Sequence, residues 1–238
     1  MAPFMHFVQL VPHLAMTREI VANDNPNVVR FFVVRHGKTD GNVKKIIQGH
    51  LDLDLNDEGR DQAEKVAYHL KDIDLDYIVS SDLLRCMNTA RAIAKKQRKP
   101  VGAFESTRAL RESYMGPLEG LHFQVAIEKY GPNFETMGES DGDLVARVYQ
   151  SWDQTCKKAV AEKHSNILFC THGGVVGAFI RHLYNVRGYK LADGIAPEDL
   201  RVPFNTSVTI VDVDKISGQG VIRVFGSTEH LSGDSVVA

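Results

Sequence analysis

The chain lacks a dominant charge: 28 Lys and Arg stand against 30 Asp and Glu, a formal net charge of -2 over 238 residues. No global field therefore gathers nucleic acid or an anionic membrane, and any anion must be caught by a local cluster. Cysteine is scarce as well. Cys86, Cys156 and Cys170 are the only three, an odd number, far apart and unlike any zinc spacing. They read as reduced packing residues of the cytoplasm, with the nucleus as a second compartment. No apolar run is long enough to span a bilayer, and the first residues lack the basic-then-apolar pattern of a secretory signal, so a soluble protein is expected. Within Met1–Asn27 the only Lys or Arg is Arg18, which argues against a mitochondrial presequence. That stretch ends in Asn23-Asp24-Asn25-Pro26-Asn27 and reads as an N-terminal arm, flexible or docked on the surface. Internal repeats, low-complexity tracts and interdomain linkers are also missing, and the length suits one core, so residues 28–238 are expected to form a single domain.

From Val28 onward, regular patterns begin. Val29 to Val34 is a β-rich apolar run broken only by Arg30, as expected of a strand buried on both faces. Asn56 offers an N-cap to a helix over Asp57 to Lys71, in which Ala63, Val66, Ala67 and Leu70 share a face. Tyr77 to Val79 reads as a short strand, followed by a helix capped by Asp82 and burying Cys86, Ala90, Ile93 and Ala94. A helix over Asp143 to Lys163, a strand over Ile167 to Cys170 and a helix over Val175 to Tyr184 come next. Val208 to Val211 and Val221 to Phe225 close the chain as strands around Ser217-Gly218. Alternating strands and helices predict a three-layer α/β sandwich with a largely parallel central sheet.

In such a sheet ligands bind beyond the carboxyl ends of the strands, and three of those ends carry unusual chemistry. Arg35-His36-Gly37-Lys38-Thr39 with Asn42 follows the first strand and sets a permanent cation beside an imidazole. Ser80-Ser81-Asp82-Leu83-Leu84-Arg85 follows the second and places a guanidinium on the first turn of a helix, where free backbone amides already favour anions. Thr171-His172-Gly173-Gly174 follows a later strand with a second imidazole. Each signal is weak alone. Two arginines and two histidines at strand ends of one sheet, however, suit a single tetrahedral anion, because Arg offers a planar fork of donors to phosphate oxygens.

These residues resemble the histidine phosphatase superfamily, also called phosphoglycerate mutase-like. Arg35-His36-Gly37-Lys38-Thr39 with Asn42 is similar to its nucleophile signature. Ser81-Asp82-Leu83-Leu84-Arg85 with Thr89-Ala90 is similar to its second arginine motif, and Thr171-His172-Gly173 to its third. Leu110-Arg111-Glu112 followed by Gly116, Leu118, Glu119 and Gly120 resembles the general-acid segment of the cofactor-independent phosphatase branch. The likeness spans about Val28 to His230. Asn205-Thr206-Ser207-Val208 and Glu229-His230-Leu231 resemble the closing segments of small fungal members. Lys38 departs from the family, where Glu or Gln is usual, and adds positive charge near the site entrance.

The chemistry and the resemblance together imply roles. Neutral His36, its tautomer held by a hydrogen bond at the other ring nitrogen, attacks phosphorus and becomes phosphorylated. Arg35, Arg85 and His172 hold the phosphate oxygens with Asn42, Thr39 and Gly173, and Glu112 is the general acid and base. Gln48-Gly49-His50 could line the substrate pocket or simply form a turn, and neither His50 nor His230 is counted as catalytic. Neither metal nor cofactor is called for. The bland alternatives are an Arg85–Asp82 pair, a Glu112–Arg111 pair and a structural His172.

The expected activity is hydrolysis of a small phosphate monoester. Two alternatives are a phosphoglycerate mutase and a non-catalytic phospho-binding domain. A mutase must neutralise a multiply anionic intermediate, yet between Arg111 and Arg147 the only Lys or Arg is Lys129, against Glu119, Glu128, Glu135, Glu139, Asp141 and Asp143. A lid insertion is expected around residues 112–145, with Phe123, Tyr130 and Phe134 packing it onto the domain rather than facing an apolar leaving group. The exposed strand edges of this architecture suit a homodimer.

Overall fold

The computed structural model describes residues 20–131 and 137–232. Its seven strands are β1 (Val28–Arg35), β2 (Tyr77–Ser81), β3 (Ala103–Thr107), β4 (Asn166–Thr171), β5 (Lys190–Leu191), β6 (Val208–Asp214) and β7 (Gly220–Ser227), in the sheet order β3-β2-β4-β1-β6-β7-β5. Only β6 runs against the rest, being antiparallel to both β1 and β7 while every other pairing is parallel. The helices are α1 (Asp40–Val43), α2 (Asp57–His69), α3 (Leu84–Lys96), α4 (Phe123–Tyr130), α5 (Asp141–Glu162) and α6 (Gly173–Asn185).

Strand β1 shows why the layers form. Val29, Phe31 and Val33 enter one apolar cluster, and Phe32 and Val34 enter another, so the unbroken apolar run is buried on both faces. Arg30 is accommodated by its cross-strand neighbour Asp212, to which its guanidinium donates two bonds of 2.7 and 2.8 Å. One face is covered by α2 and α3 through Val66, Ala67, Leu70, Cys86, Ala90 and Ile93. The other is covered by α5 and α6, where Trp152 stacks on Phe31 at 3.8 Å and meets Phe169 edge-on at 5.5 Å. Truncating so buried an aromatic typically costs about 3–5 kcal/mol.

The predicted helices α2, α5 and α6 lie within about two residues of their expected bounds, and the Asn56 carboxamide caps α2 by accepting from Gly59 N at 2.8 Å. Asp82 does not cap α3. Leu83 occupies that position without a side-chain bond, and the Leu84 amide donates instead to Asp52, 2.7 Å away, because Asp82 is engaged elsewhere. Strand β3 was not expected, since Phe104, Glu105 and Ser106 are all exposed on the sheet edge and leave no apolar run to read.

The arm and the lid also acquire detail. Ile20 and Ala22 pack against the cluster beneath α2 and α3, and Asn23 N donates to Asn166 Oδ1 at 2.7 Å, so residues 20–27 are docked on the body. Residues 1–19 and Phe134 and Glu135 lie outside the described residues. In the segment from residue 112, Tyr130 packs with Leu118 and Ala126 of the same segment, and Phe123 is 45 % exposed. Among the described residues no helix is long and apolar enough to cross a membrane.

Candidate active site

The three motif-bearing strands stand side by side as β2-β4-β1. Arg35 lies opposite Thr171 and Ser80 opposite Cys170, so the parallel register delivers all three motifs to one edge of the sheet. His36 N extends the β1–β4 ladder by donating to Thr171 O at 2.9 Å.

His36 is 3 % exposed, and its Nδ1 lies 2.7 Å from the Gly37 carbonyl oxygen. A carbonyl can only accept, so Nδ1 carries the proton and Nε2 keeps a bare lone pair. Burial first, and then the charges of Arg85 and Arg35, hold the imidazole pKa well below its ordinary value. The ring is therefore neutral where a surface histidine would already be charging.

Arg85, 1 % exposed, enters from the first turn of α3. Its Nη1 donates to Leu51 O at 2.6 Å and its Nη2 to Gly49 O at 2.8 Å, while Nε donates to His172 Nδ1 at 3.2 Å. Of five guanidinium protons, two are left for a ligand. Because His172 Nδ1 accepts, its proton sits on Nε2, which donates to Ser81 Oγ at 2.9 Å. Burial, followed by the Arg85 charge, depresses the His172 pKa well below the usual range. The two imidazoles meet edge to face at 5.2 Å. Both nitrogens of His172 have protein partners, Arg85 and Ser81.

The double glycine opening α6 is explained by what presses on it. A Cβ at Gly173 would come within 3.0 Å of Arg35 Cζ and Nε, and one at Gly174 within 2.5 Å of Glu112 Oε1. Arg35 Nη1 donates to Pro203 O at 2.6 Å, and its buried Nε has no partner among the described residues. Burial lowers its pKa while Glu112 opposes that shift, and the guanidinium stays charged. Glu112 Oε2 accepts from Gly174 N at 3.1 Å and Oε1 from Ser113 N at 3.0 Å, which sets a carboxylate against the positive end of α6.

Neither bland pairing occurs. Arg111 forks onto Asp82 with two bonds of 2.7 Å, and that hydrogen-bonded pairing holds the Asp82 carboxyl below its usual range. Arg85 and Glu112 are thereby left to the site.

Thr39 is fully buried and committed to capping α1: its Oγ1 accepts from Asn42 N at 3.1 Å and sits 3.0 Å from Asn42 Oδ1 and 2.9 Å from Gln48 Oε1. The amide nitrogens of Asn42 and Gln48 have no protein partner among the described residues. Gly49, in left-handed backbone at φ +46°, contributes its carbonyl to Arg85. The extra charge of Lys38 is met by an ion pair with Glu58.

Arg147 had no readable signal, whereas His50 and Thr89 belong to segments the sequence already marks. Arg147 donates to the carbonyls of Ala109 and Arg111 at 2.8 Å and of Glu112 at 2.9 Å, and forks onto Glu139 at 2.7 Å. His50 Nε2 also donates to the Glu112 carbonyl, at 2.9 Å. Thr89 Oγ1 accepts from Gly37 N at 3.0 Å and donates to Arg85 O at 2.7 Å, a spacing of one helical turn that could have suggested it. One buried and one half-buried guanidinium, with Glu112 as the carboxylate whose charge acts on both, repel a cation and suit an anion.

Comparison with known proteins agrees with this chemistry. A family model described as the histidine phosphatase superfamily (branch 1) matches residues 31–224. The broad-specificity phosphatase YOR283W of Saccharomyces cerevisiae is 37 % identical over 235 residues, covering 94 % of this chain and 98 % of its own. The probable phosphatase C1687.21 of Schizosaccharomyces pombe is 32 % identical, covering 87 % and 97 %. A crystal structure of phosphoglycerate mutase from Bacillus anthracis superposes with a TM-score of 0.72 at 23 % identity, over 87 % of this chain and 96 % of that one, and so shares the fold.

Proposed function

The chain belongs to the histidine phosphatase superfamily, whose reaction is phosphomonoester hydrolysis through a phosphohistidine, and from that premise we propose which residues carry each step. His36 Nε2 attacks phosphorus in line, the bond from phosphorus to the ester oxygen breaks, and Glu112 gives its proton to the departing oxygen. Water then attacks the phosphohistidine, Glu112 recovers a proton from it, and the N–P bond breaks to return neutral His36. Arg35 and Arg85 stabilise the charge spread over the non-bridging oxygens. Asn42, Gln48 and the amide of Gly173 at the start of α6 add donors. His172 holds Arg85 in place, and it takes a phosphate oxygen only where ligand draws Arg85 away.

The observation that carries this reading is His36, its Nδ1 proton directed to the Gly37 carbonyl and its pKa held well down by burial and by the charges of Arg85 and Arg35. The substrate is a small monoester of modest charge. In support, Glu139 and Arg147 neutralise each other, Lys129 lies over the Tyr130 ring at 5.0 Å, and the described lid residues therefore direct no spare cation at a second phosphate. The similarity to a phosphatase of broad specificity favours several substrates over one. Three free thiols support the cytoplasm or nucleus as its compartment, and the exposed edge of β3 supports a homodimer.

A panel of monoesters that includes phosphoglycerates tests the assignment. Release of free phosphate without isomerised phosphoglycerate is expected, and isomerisation without phosphate release would make the protein a mutase. Silence across the panel would favour a phospho-binding domain.

A further inference from the structure

We infer that His230 is a positioning residue for the phosphatase reaction, acting through Thr206 on the backbone of His36. The inference rests on His36 being the nucleophile. Thr206 is fully buried and holds φ at +54°, a left-handed conformation that a β-branched residue rarely adopts. Its hydroxyl is tied in two directions. It donates to Asn205 O at 2.8 Å, which leaves a lone pair to accept from His230 Nε2, 3.1 Å away.

The consequence reaches the nucleophile in one step. The His36 carbonyl receives Asn205 Nδ2 at 3.0 Å and Thr206 N at 3.3 Å, and Asn205 Nδ2 also lies 3.4 Å from Asn42 Oδ1. The backbone conformation at Thr206 therefore sets where both donors meet His36, and His230 holds that conformation from the far side. The C-terminal turn Glu229–Leu231 supplies the histidine and is anchored by buried Leu231, with the His230 ring 5.5 Å from that of His69 on α2.

Simple packing does not account for this side chain. His230 Nδ1 is buried without a partner among the described residues, and burial pushes the ring pKa down to about 4. An apolar residue would fill the same space without that desolvation cost. What the imidazole adds is the single Nε2–H bond to Thr206.

The test compares His230→Ala, His230→Gln, Thr206→Val and the double variant His230→Ala/Thr206→Val. For each, kcat, KM for an aryl phosphate and the thermal midpoint are measured, with phosphohistidine trapping in the wild type alongside. His230→Ala should lower kcat about tenfold and shift KM less than about twofold, since misplacement of a reacting group acts on the rate. His230→Gln, whose amide can still donate, should recover to within about threefold of wild type, and the double variant should be no worse than Thr206→Val alone. A folded His230→Ala with wild-type kcat, or additive losses in the double variant, overturns the positioning role while leaving the proposed function standing. If His230→Ala does not fold, the Gln and Val variants decide: Gln near wild type with Val impaired supports the role, and Val at full rate overturns it. A wild type that neither hydrolyses nor traps phosphohistidine removes the reading beneath it.

Discussion

The carboxyl end of the sheet, which carries His36, Arg85 and His172, and the irregular segment that carries Glu112 hold their polar groups by opposite means. There the side chains are almost wholly buried: His36 and His172 directly follow strands whose register is fixed by ladder bonds, Arg85 sits on the first turn of α3, and their partners are backbone carbonyls, the Ser81 hydroxyl and one another. Glu112 is half-exposed, sits on an irregular stretch, and is held mostly by residues distant in sequence: Arg147 and His50 grip its carbonyl and Gly174 its carboxylate, with the neighbouring Ser113 amide as the one local contact. On the proposed roles, a bond-making group at the end of a rigid strand tolerates little displacement, whereas an acid on a clamped loop can serve leaving groups of different shape.

That contrast orders the expected effects. His36→Ala should cost at least about four orders of magnitude in kcat, because the nucleophile has no substitute, with phosphate release as the measure. Arg85→Gln should cost about a hundred- to a thousandfold, as for loss of one transition-state donor. It should also move the acid limb of the rate profile. Arg85 helps to depress the His36 pKa, so its removal lets the nucleophile protonate at higher pH, and the loss of rate on acidification should begin earlier. An unmoved acid limb would mean that another group governs it.

Glu112→Gln should cost about a hundredfold on alkyl phosphates and distinctly less on aryl phosphates, whose leaving oxygens need no proton. Equal losses on both would place Glu112 outside the acid role and erase the functional difference between floor and lid. Smallest of all should be Lys38→Gln. With its charge already paired to Glu58, kcat/KM should change by less than about threefold, in keeping with the modest worth of a partly exposed ion pair.

The same contrast marks what could be read from the residues. Strand β1 and helices α2, α5 and α6 announce themselves by periodicity, and the Arg-His-Gly and Thr-His-Gly-Gly ends stand out because glycine and cations follow apolar runs. The assignment of Asp82 as a cap was plausible from local spacing and failed because Arg111, 29 residues away, claims the carboxylate. Strand β3 has no buried face to pattern. Arg147 acts on backbone carbonyls and so leaves no side-chain motif, and the tautomer of His172 is defined only by the positions of Arg85 and Ser81. Local rules read what local physics decides, and the clamps on Glu112 are long-range.

The most direct test of the account is rapid quenching of wild-type protein with labelled monoester, followed by assay of the denatured chain for acid-labile, base-stable phosphate and mapping of the labelled peptide. Label on His36, absent from His36→Ala and accumulating in Glu112→Gln with an aryl phosphate, where only the hydrolysis step should be slowed, is the predicted result. Full turnover by His36→Ala, or label on any other residue, would contradict it.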